Sequence, residues 1–257
     1  MDKASIGGVL LAVAGISAGL LLEGGNLGQI LQPTAALIVG GGTLGAVLLQ
    51  YPLTTVLAAF RRMTHVFVEP RKHDDPLVRI LVDFANKARK NGVVSLDADL
   101  KTIQDPFLKQ AVMLAVDGTE PAELRKIMHV SLDSTSEIED HLPAVFDSAG
   151  GFSPTIGILG AVLGLIQVMQ HLDNIQEVGH GIAVAFVATI YGVGSANLLF
   201  LPFAGKMRIQ LREDHRRREM MIEGIISIIE GMNPRMLEVK LAGFSNHSRR
   251  PERERAA

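Results

Sequence analysis

Four long stretches of this sequence contain no charged side chain. They lack Asp, Glu, Lys and Arg and cover residues 4–22, 33–60, 149–171 and 179–205. Each stretch has room for about 20 helical residues, which is the length that crosses a hydrocarbon core about 30 Å thick. A soluble protein would have to be far larger to bury four such segments. The pattern therefore predicts four membrane-spanning helices.

The segment between the second and third stretches has the periodicity of amphipathic helices. Asp-Asp-Pro at residues 74–76 is typical of a helix start, and Gly92 is typical of a helix end. The apolar positions between them share one helical face: Leu77, Ile80, Leu81, Phe84 and Ala88. Two further helices are predicted, one over residues 105–118 and one from residue 120 towards the third span. No alternating pattern of useful length favours a strand, so the segment is predicted to be all-helical.

After the fourth stretch, residues 206–230 continue as an amphipathic helix, and residues 231–234 end it before a short last helix. The chain is therefore predicted to be an all-α integral membrane protein with five segments. These are a transmembrane hairpin of spans 1 and 2 at 1–51, a cytoplasmic helical domain at 52–148, a hairpin of spans 3 and 4 at 149–205, cytoplasmic C-terminal helices at 206–244 and a disordered tail at 245–257.

The positions of the basic residues predict the orientation of the chain. All 25 Lys and Arg residues lie at Lys3, between Arg61 and Lys126, or after residue 205. The two short connections between spans, residues 23–32 and 172–179, contain none. Because basic residues concentrate on the cytoplasmic side of a bilayer, both termini and the large helical domain are predicted to be cytoplasmic. The expected location is the bacterial inner membrane.

The composition excludes several functional classes. With no cysteine, the chain can form no disulfide and no thiolate-ligated metal site. The formal net charge of −2 gives no sign of a nucleic-acid surface. The sequence contains no nucleophile elbow, Walker loop, dinucleotide fingerprint or zinc motif, so neither an enzyme nor a bound cofactor is expected.

The centres of the apolar stretches lack acidic and basic side chains. None of them carries an acid, a base or a histidine, although a protein that relays protons needs such a group at depth. We therefore predict either a passive scaffold or one half of a machine whose partner supplies a carboxylate.

Small residues recur at helical spacing in the last two spans. One face of the third carries Pro154, Gly157, Ala161 and Gly164, and one face of the fourth carries Ala185, Thr189, Gly192 and Ala196. Such faces let helices approach closely in lipid, and plain bundle packing is their commonest use. Thr189 could bond its own upstream carbonyl or line an ion path. Pro154 and Pro202 could bend or end helices, or act as hinges beside a moving partner.

Four segments, in this order, resemble the MotA/PomA family of flagellar stator subunits, and the resemblance covers nearly the whole chain. They are ARKNGVVSLD at 88–97, GGFSPTIGILGAVLGL at 150–165, ATIYGVGSANLLFLPFAGKM at 188–207 and IEGMNPR at 229–235. The resemblance implies a ring of five such subunits around a dimer of a MotB-like, peptidoglycan-binding protein. The single span of that partner carries the aspartate that takes up the ion, and the ring pushes the rotor protein FliG.

The resemblance also implies roles for individual residues. Pro154 and Pro202 match the two prolines beside the family's ion site, and Thr189 matches the threonine near its ion path. The residues that match the rotor-facing charges of the family are Arg89, Asp97 and, less closely, Lys90.

The resemblance further bears on the transported ion. Ala161 stands where sodium-driven members carry a second threonine, and Ala188 also stands where that branch tends to carry a hydroxyl. Na⁺ is a hard cation that needs several oxygen ligands, whereas a proton needs only the partner's carboxylate. We therefore expect proton coupling, with Na⁺ as the alternative because the PomA branch resembles this chain in length and in the C-terminal segment.

Two other functions stay open from the sequence. One is an ExbB/TolQ-like subunit that energises outer-membrane processes, although those proteins usually have three spans and this chain is predicted to have four. The other is a structural membrane scaffold without ion transport.

Overall fold

The computed structural model describes residues 3–66 and 75–245, and these ranges consist of helices, turns and short connections, as predicted. The helices are α1 (Lys3–Leu22), α2 (Pro33–Gln50), α3 (Leu53–Val66), α4 (Asp75–Asn91), α5 (Pro106–Val116), α6 (Pro121–Gln170), α7 (Ile175–Ser195), α8 (Leu201–Ile229) and α9 (Pro234–Ser245). Short 3-10 turns lie at Leu27–Ile30 and Val93–Asp99, and a π-helical turn lies at Ala196–Phe200. The predicted tail, from residue 246 onward, and Asp74 of the predicted helix start lie outside the described residues.

Four helical segments are long and apolar enough to cross a membrane, which confirms the four predicted spans. They are Ala4–Leu22, Pro33–Gln50 and parts of Pro121–Gln170 and Ile175–Ile229. The chain is therefore a multi-pass membrane protein. The helix predicted from residue 120 and the third span are one continuous helix of 50 residues.

Several helix ends are determined by local chemistry at the predicted positions. The carboxylate of Asp105 accepts hydrogen bonds from the backbone N–H groups of Phe107 and Leu108 at 3.0 and 3.4 Å, and so caps the start of α5. Gly92 after α4 and Gly231 after α8 have φ angles of +80° and +76°, which only glycine adopts without strain.

The packing divides the chain into two compact units. The first contains residues 1–70 and 139–210, which include all four apolar stretches, and the second contains residues 71–138 and 211–257. The predicted segment boundaries follow the expected membrane surfaces and not the packing, so those boundaries stay a prediction.

The second unit has a large apolar core. Leu81 of α4 is fully buried, and a Cβ atom at Gly224 of α8 would lie 2.7 Å from its Cδ1 atom. The two helices can therefore approach this closely because residue 224 has no side chain. Other side chains in this core are Leu96, Leu124, Met128, Leu132, Ile222, Ile225, Leu237 and Leu241.

One carboxylate joins three helices of the second unit. Glu223 of α8 pairs with Arg125 of α6 and with Lys240 of α9, the latter at 2.9 Å. Burial acts to raise the pKa of Glu223, but hydrogen bonds from these two cations outweigh it and hold the pKa below its ordinary value. Glu223 therefore stays charged at neutral pH and ties the last helix to the rest of the unit.

In the first unit, α2 packs along α7. The buried face of α2 repeats every four residues and consists of Ala35, Val39, Thr43 and Val47. On α7, Val187 and Ala188 are buried in the same cluster, and the hydroxyl of Tyr191 donates a hydrogen bond to the carbonyl of Ile30 at 2.6 Å. These contacts attach the second span and the connection before it to the fourth span. The first span, α1, has no buried residue in its apolar stretch.

Candidate functional site

The third and fourth spans, in α6 and α7, contact each other backbone to backbone along a glycine seam that consists of Gly157, Gly164, Gly181 and Gly192. A Cβ atom at Gly192 would lie 2.6 Å from the carbonyl oxygen of Ser153 and 3.0 Å from the Cα atom of Gly157. A Cβ atom at Gly164 would lie 2.7 Å from the carbonyl oxygen of Gly181. Carbon atoms cannot approach so closely, so the seam requires glycine, as close helix contacts in lipid commonly do.

Two hydroxyl groups lie on the seam beside Gly192. Ser153 is fully buried, and its hydroxyl donates a hydrogen bond to the carbonyl of Gly192 at 3.0 Å. The same hydroxyl contacts Ser195, whose own hydroxyl lies 3.2 Å from that carbonyl. The sequence predicted no role for Ser153, because a single serine in an apolar span is a weak signal. Only the packing shows that it joins the two helices.

The second span covers one side of the glycine seam. A Cβ atom at Gly160 of α6 would lie 2.7 Å from Cβ of Ala188 and 3.3 Å from Cγ2 of Ile38 on α2. A Cβ atom at Gly42 of α2 would lie 2.7 Å from Cγ2 of Ile156 on α6. These contacts define a side of the seam that faces α2 and, opposite it, a side that we call the open side.

Three of the predicted site residues, Pro154, Ala161 and Thr189, lie at the open side. Each is half-buried, and helical spacing rotates each away from the residues that face α2, by about 100° or more around its helix. Ala161 and Thr189 each come one residue after the contact between Gly160 and Ala188. Because the two helices are antiparallel and rise 1.5 Å per residue, these two residues lie within about 3 Å of the same depth. Pro154 lies nearly two turns away along α6, beside Gly192. The structure thus brings these three residues to one wall.

The hydroxyl of Thr189 donates a hydrogen bond to the carbonyl of Ala185 at 3.1 Å. This is the local bond that the sequence allowed as one of two roles. Since the bond uses the hydroxyl proton, the oxygen can still accept a hydrogen bond or ligate a cation. The local role and a role in an ion path are therefore compatible.

The second predicted proline, Pro202, follows directly on the π-helical turn at Ala196–Phe200. The N–H of Leu201 bonds the carbonyl of Ala196, five residues back, and Pro202 has no N–H to continue the helical pattern. Leu201 also packs on α6, because a Cβ atom at Gly150 would lie 2.7 Å from its Cδ2 atom. Gly150 is one turn before Pro154, so the two prolines lie near the same end of the helix pair. The sequence did not predict the π-helical turn.

The surface of the open side is mostly apolar. Its exposed side chains include Ile158, Leu165, Ile182, Phe186 and Val193, and the exposed polar residues Thr155 and Asn197 of these spans bond carbonyls of their own helices. Residues 149–170 and 181–205 contain no Asp, Glu, Lys, Arg or His. This wall can therefore pack against another apolar helix, but it has no group that could bind and release a proton near neutral pH.

The predicted rotor-facing residues form a charged corner of the second unit, which consists of Arg89, Lys90 and Asp97. Arg89 and Lys90 lie in the last turn of α4, Gly92 turns the chain, and Asp97 lies in the following 3-10 turn. The three charged side chains are exposed, whereas Leu96 beside them is fully buried. The corner therefore displays two cations and one anion on a turn that is anchored in the core.

Comparison with known proteins matches this chain to one family along most of its length. Residues 99–220 match the MotA/TolQ/ExbB proton channel family, and residues 6–92 match the family described as Motility protein A N-terminal. Motility protein A of Bacillus subtilis (strain 168) is 35% identical over 242 residues, which are 94% of this chain and 90% of that protein.

Two solved structures share the fold. The structure of C. jejuni MotAB contains a chain with a TM-score of 0.90 and 33% identity, over 96% of this chain and 97% of that one. The structure of the flagellar MotAB stator complex from Bacillus subtilis contains a chain with a TM-score of 0.84 and 35% identity, over 93% and 94% respectively. None of these names describes an enzyme.

Gly192→Ala should weaken the contact between α6 and α7, because the added methyl group would lie 2.6 Å from a carbonyl oxygen of the other helix. The backbones must separate to relieve the clash, at a cost of about 1–3 kcal/mol. Gly194→Ala is the matched control, since within the described residues no atom of another helix lies within 4 Å of that Cβ position. Thermal unfolding of the purified protein in detergent should show a lower melting temperature for Gly192→Ala alone. Equal stability of the two variants would contradict the close approach at the seam.

Proposed function

The chain belongs to the MotA/TolQ/ExbB proton channel family, and we propose that protons drive it. It is a stator subunit of the flagellar motor that couples ion flow to rotation, as its likeness to Motility protein A and to MotAB structures over nearly its full length indicates. What we propose is how its own residues contribute, which ion passes and which partners complete the machine.

A MotB-like partner would supply the carboxylate that the membrane spans of this chain lack. The observation that carries this proposal is the open side of the glycine seam, which is apolar and has no acid or base. The two similar structures are both of MotAB complexes. The single span of a peptidoglycan-binding partner would pack on the open side, with its aspartate at the depth of Ala161 and Thr189. Five copies of this chain around a partner dimer would surround both aspartates with such walls.

The apolar wall would act on the partner's aspartate through its charge state. Apolar surroundings favour the neutral, protonated carboxyl group over the carboxylate. A proton taken up from outside would therefore let the partner helix rest against the wall, and release of the proton would make that contact unfavourable. Each elementary charge that crosses 100 mV releases about 2.3 kcal/mol, so torque requires that release be coupled to movement of the ring.

The prolines mark the end of the wall at which this movement would occur. Pro154 packs beside Gly192 at the seam, and Pro202 follows the π-helical turn. Both residues interrupt the helical hydrogen-bond pattern, which lets a helix change its bend at that point. We assign them to the coupling of proton release to helix movement.

The oxygen atoms of the wall favour the proton over Na⁺ as the coupling ion. Thr189 is the hydroxyl residue at the depth of the proposed carboxylate, and Ala161 opposite it presents a methyl group. A sodium ion at this depth would lack an oxygen ligand that a threonine at 161 would provide. A sodium-driven, PomA-like stator is the alternative, in which case Thr189 and backbone carbonyls would provide the ligands.

The charged corner of Arg89, Lys90 and Asp97 would transmit force to the rotor protein FliG. The corner is exposed and carries both signs of charge, which suits a contact that must form and break repeatedly. For the corner to reach the rotor, both termini and the second unit would lie in the cytoplasm and the four spans in the bacterial inner membrane. The four spans and the match of residues 6–92 to Motility protein A favour this function over an ExbB/TolQ-like energiser.

Proton coupling predicts the response of swimming cells to ions. In a strain that relies on this stator, swimming speed should stay unchanged when sodium is replaced by potassium and should collapse when a protonophore is added. Video tracking of cells measures both responses. Swimming that stops without sodium yet survives the protonophore would sink proton coupling.

Pro154→Ala should abolish rotation while leaving the amount of protein in the membrane unchanged, because the substitution restores a regular helix at the proposed coupling point. Pro143→Ala is the matched control, since Pro143 also lies inside α6 but before the apolar stretch. Motility on soft agar and immunoblots of membrane fractions distinguish the two. Normal motility of Pro154→Ala would remove this proline from the mechanism.

Arg89→Glu should reduce motility strongly without reducing assembly, because it reverses a charge at the proposed rotor contact. Lys109→Glu, at an exposed lysine of α5, reverses a positive charge outside the corner. Cells with this variant should swim normally. A reciprocal charge reversal on FliG should restore motility to Arg89→Glu. If charge reversal at none of the acidic positions of FliG restores motility, the direct contact is contradicted.

A further inference from the structure

Two oppositely charged residues that the proposed function does not use lie at the base of the charged corner. The ammonium nitrogen of Lys87 lies 2.6 Å from the Oδ2 atom of Asp99. Lys87 is on α4, just before Arg89, and Asp99 is the last residue of the 3-10 turn, just after Asp97. The ion pair therefore connects the two ends of the segment that carries the corner.

The 3-10 turn that carries Asp97 is held at two further points. Leu96 is buried in the core, and the carbonyl of Asp99 accepts hydrogen bonds from the N–H and the hydroxyl of Thr102 at 2.9 and 2.7 Å. Between α4 and this anchored turn the chain passes through Gly92. Its N–H donates to the carbonyl of Ala88 at 2.8 Å, and its carbonyl accepts hydrogen bonds from the N–H and the hydroxyl of Ser95 at 3.1 and 2.7 Å. The ion pair adds to these local bonds a side-chain link across Gly92, between the helix that carries the two cations and the turn that carries the anion.

The environment of the pair argues against a direct role in rotor contact. The side chains of Lys87 and Asp99 are 34% and 27% exposed, and each already neutralises the other. By contrast, Arg89, Lys90 and Asp97 are exposed. A partly exposed pair of this kind contributes little to the stability of a protein, so its main effect should be on local geometry.

We propose that Lys87 and Asp99 are positioning residues for the rotor contact. Their ion pair closes the loop around Gly92 and holds Asp97 at a constant distance from Arg89 and Lys90. This inference rests on the proposed function, in which the charged corner touches FliG.

The test uses the full complex of this chain with its MotB-like partner and four variants. Lys87→Ala and Asp99→Ala each break the pair, Lys87→Glu combined with Asp99→Lys exchanges its charges, and Lys109→Ala is an exposed-lysine control. Hydrogen exchange of the amides of residues 92–99 in the purified complex reports the geometry of the corner. Stall torque of beads on flagellar stubs reports the contact with the rotor, and melting temperature reports stability.

Each single variant should raise hydrogen exchange in residues 92–99 by about two- to threefold, as expected for loss of a partly exposed ion pair. Each should also lower stall torque measurably below that of the wild type. The melting temperature should hardly change. The charge exchange should restore both the exchange rate and the torque, because only the pairing matters and not the sign at either position. Lys109→Ala should match the wild type in all three measurements.

Three results would overturn the inference. Unchanged hydrogen exchange in both single variants would show that the pair does not hold the corner. Torque that stays low in the charge-exchanged variant, with normal hydrogen exchange, would show that each charge acts on the rotor by itself. If exchange responds as expected while torque is normal both here and in Arg89→Glu, then the rotor contact itself is wrong, and the positioning role fails with it.

Discussion

The direct contact between the backbones of α6 and α7 is the constraint on which the rest of the membrane part depends. Water is not present between spans, so a hydrophobic drive cannot hold two helices together, and they associate through close packing and hydrogen bonds. Here both are present. Gly192 lies against Gly157, and the buried hydroxyl of Ser153 bonds the carbonyl of Gly192. The contact sets the depth of each helix against the other, and it brings Thr189 and Ala161 to nearly the same depth.

The absence of charge in the spans explains how an apolar wall can serve energy conversion. Since the spans carry no charge at depth, they have no desolvation cost to offset inside the bilayer. The reactive group that we propose on a partner helix could then move relative to the wall without breaking any ion pair within the spans of this chain. A carboxylate fixed in the wall would have to find a new counter-ion at every step. In this view the absence of charge is a requirement of the mechanism.

Charges in the second unit are arranged on a different principle. Glu223 is paired with Arg125 and Lys240, and Lys87 is paired with Asp99. These pairs are partly buried and connect different helices or turns. The exposed charges at the corner lie beside the pair of Lys87 and Asp99 and the buried Leu96. In the proposed function, proton chemistry and force transmission are carried by different compact units of one chain.

The sequence by itself determined the features that depend on neighbouring residues. Charge-free stretches of about 20 residues predicted the four spans, and Asp105, Gly92 and Gly231 marked helix ends because caps and positive φ angles are local properties. The resemblance to the MotA/PomA family singled out Pro154, Ala161 and Thr189, but not the geometry that unites them.

The geometry of the wall depends on pairs that are far apart in the chain, such as Ser153 and Gly192, which are 39 residues apart. Helical periodicity states which residues share a face, but it does not state which face meets which, and at what depth. Only the tertiary structure decided those two questions. The depth at which two helices pack is set by the steric fit between their backbones, and the composition of either helix alone does not reveal that fit.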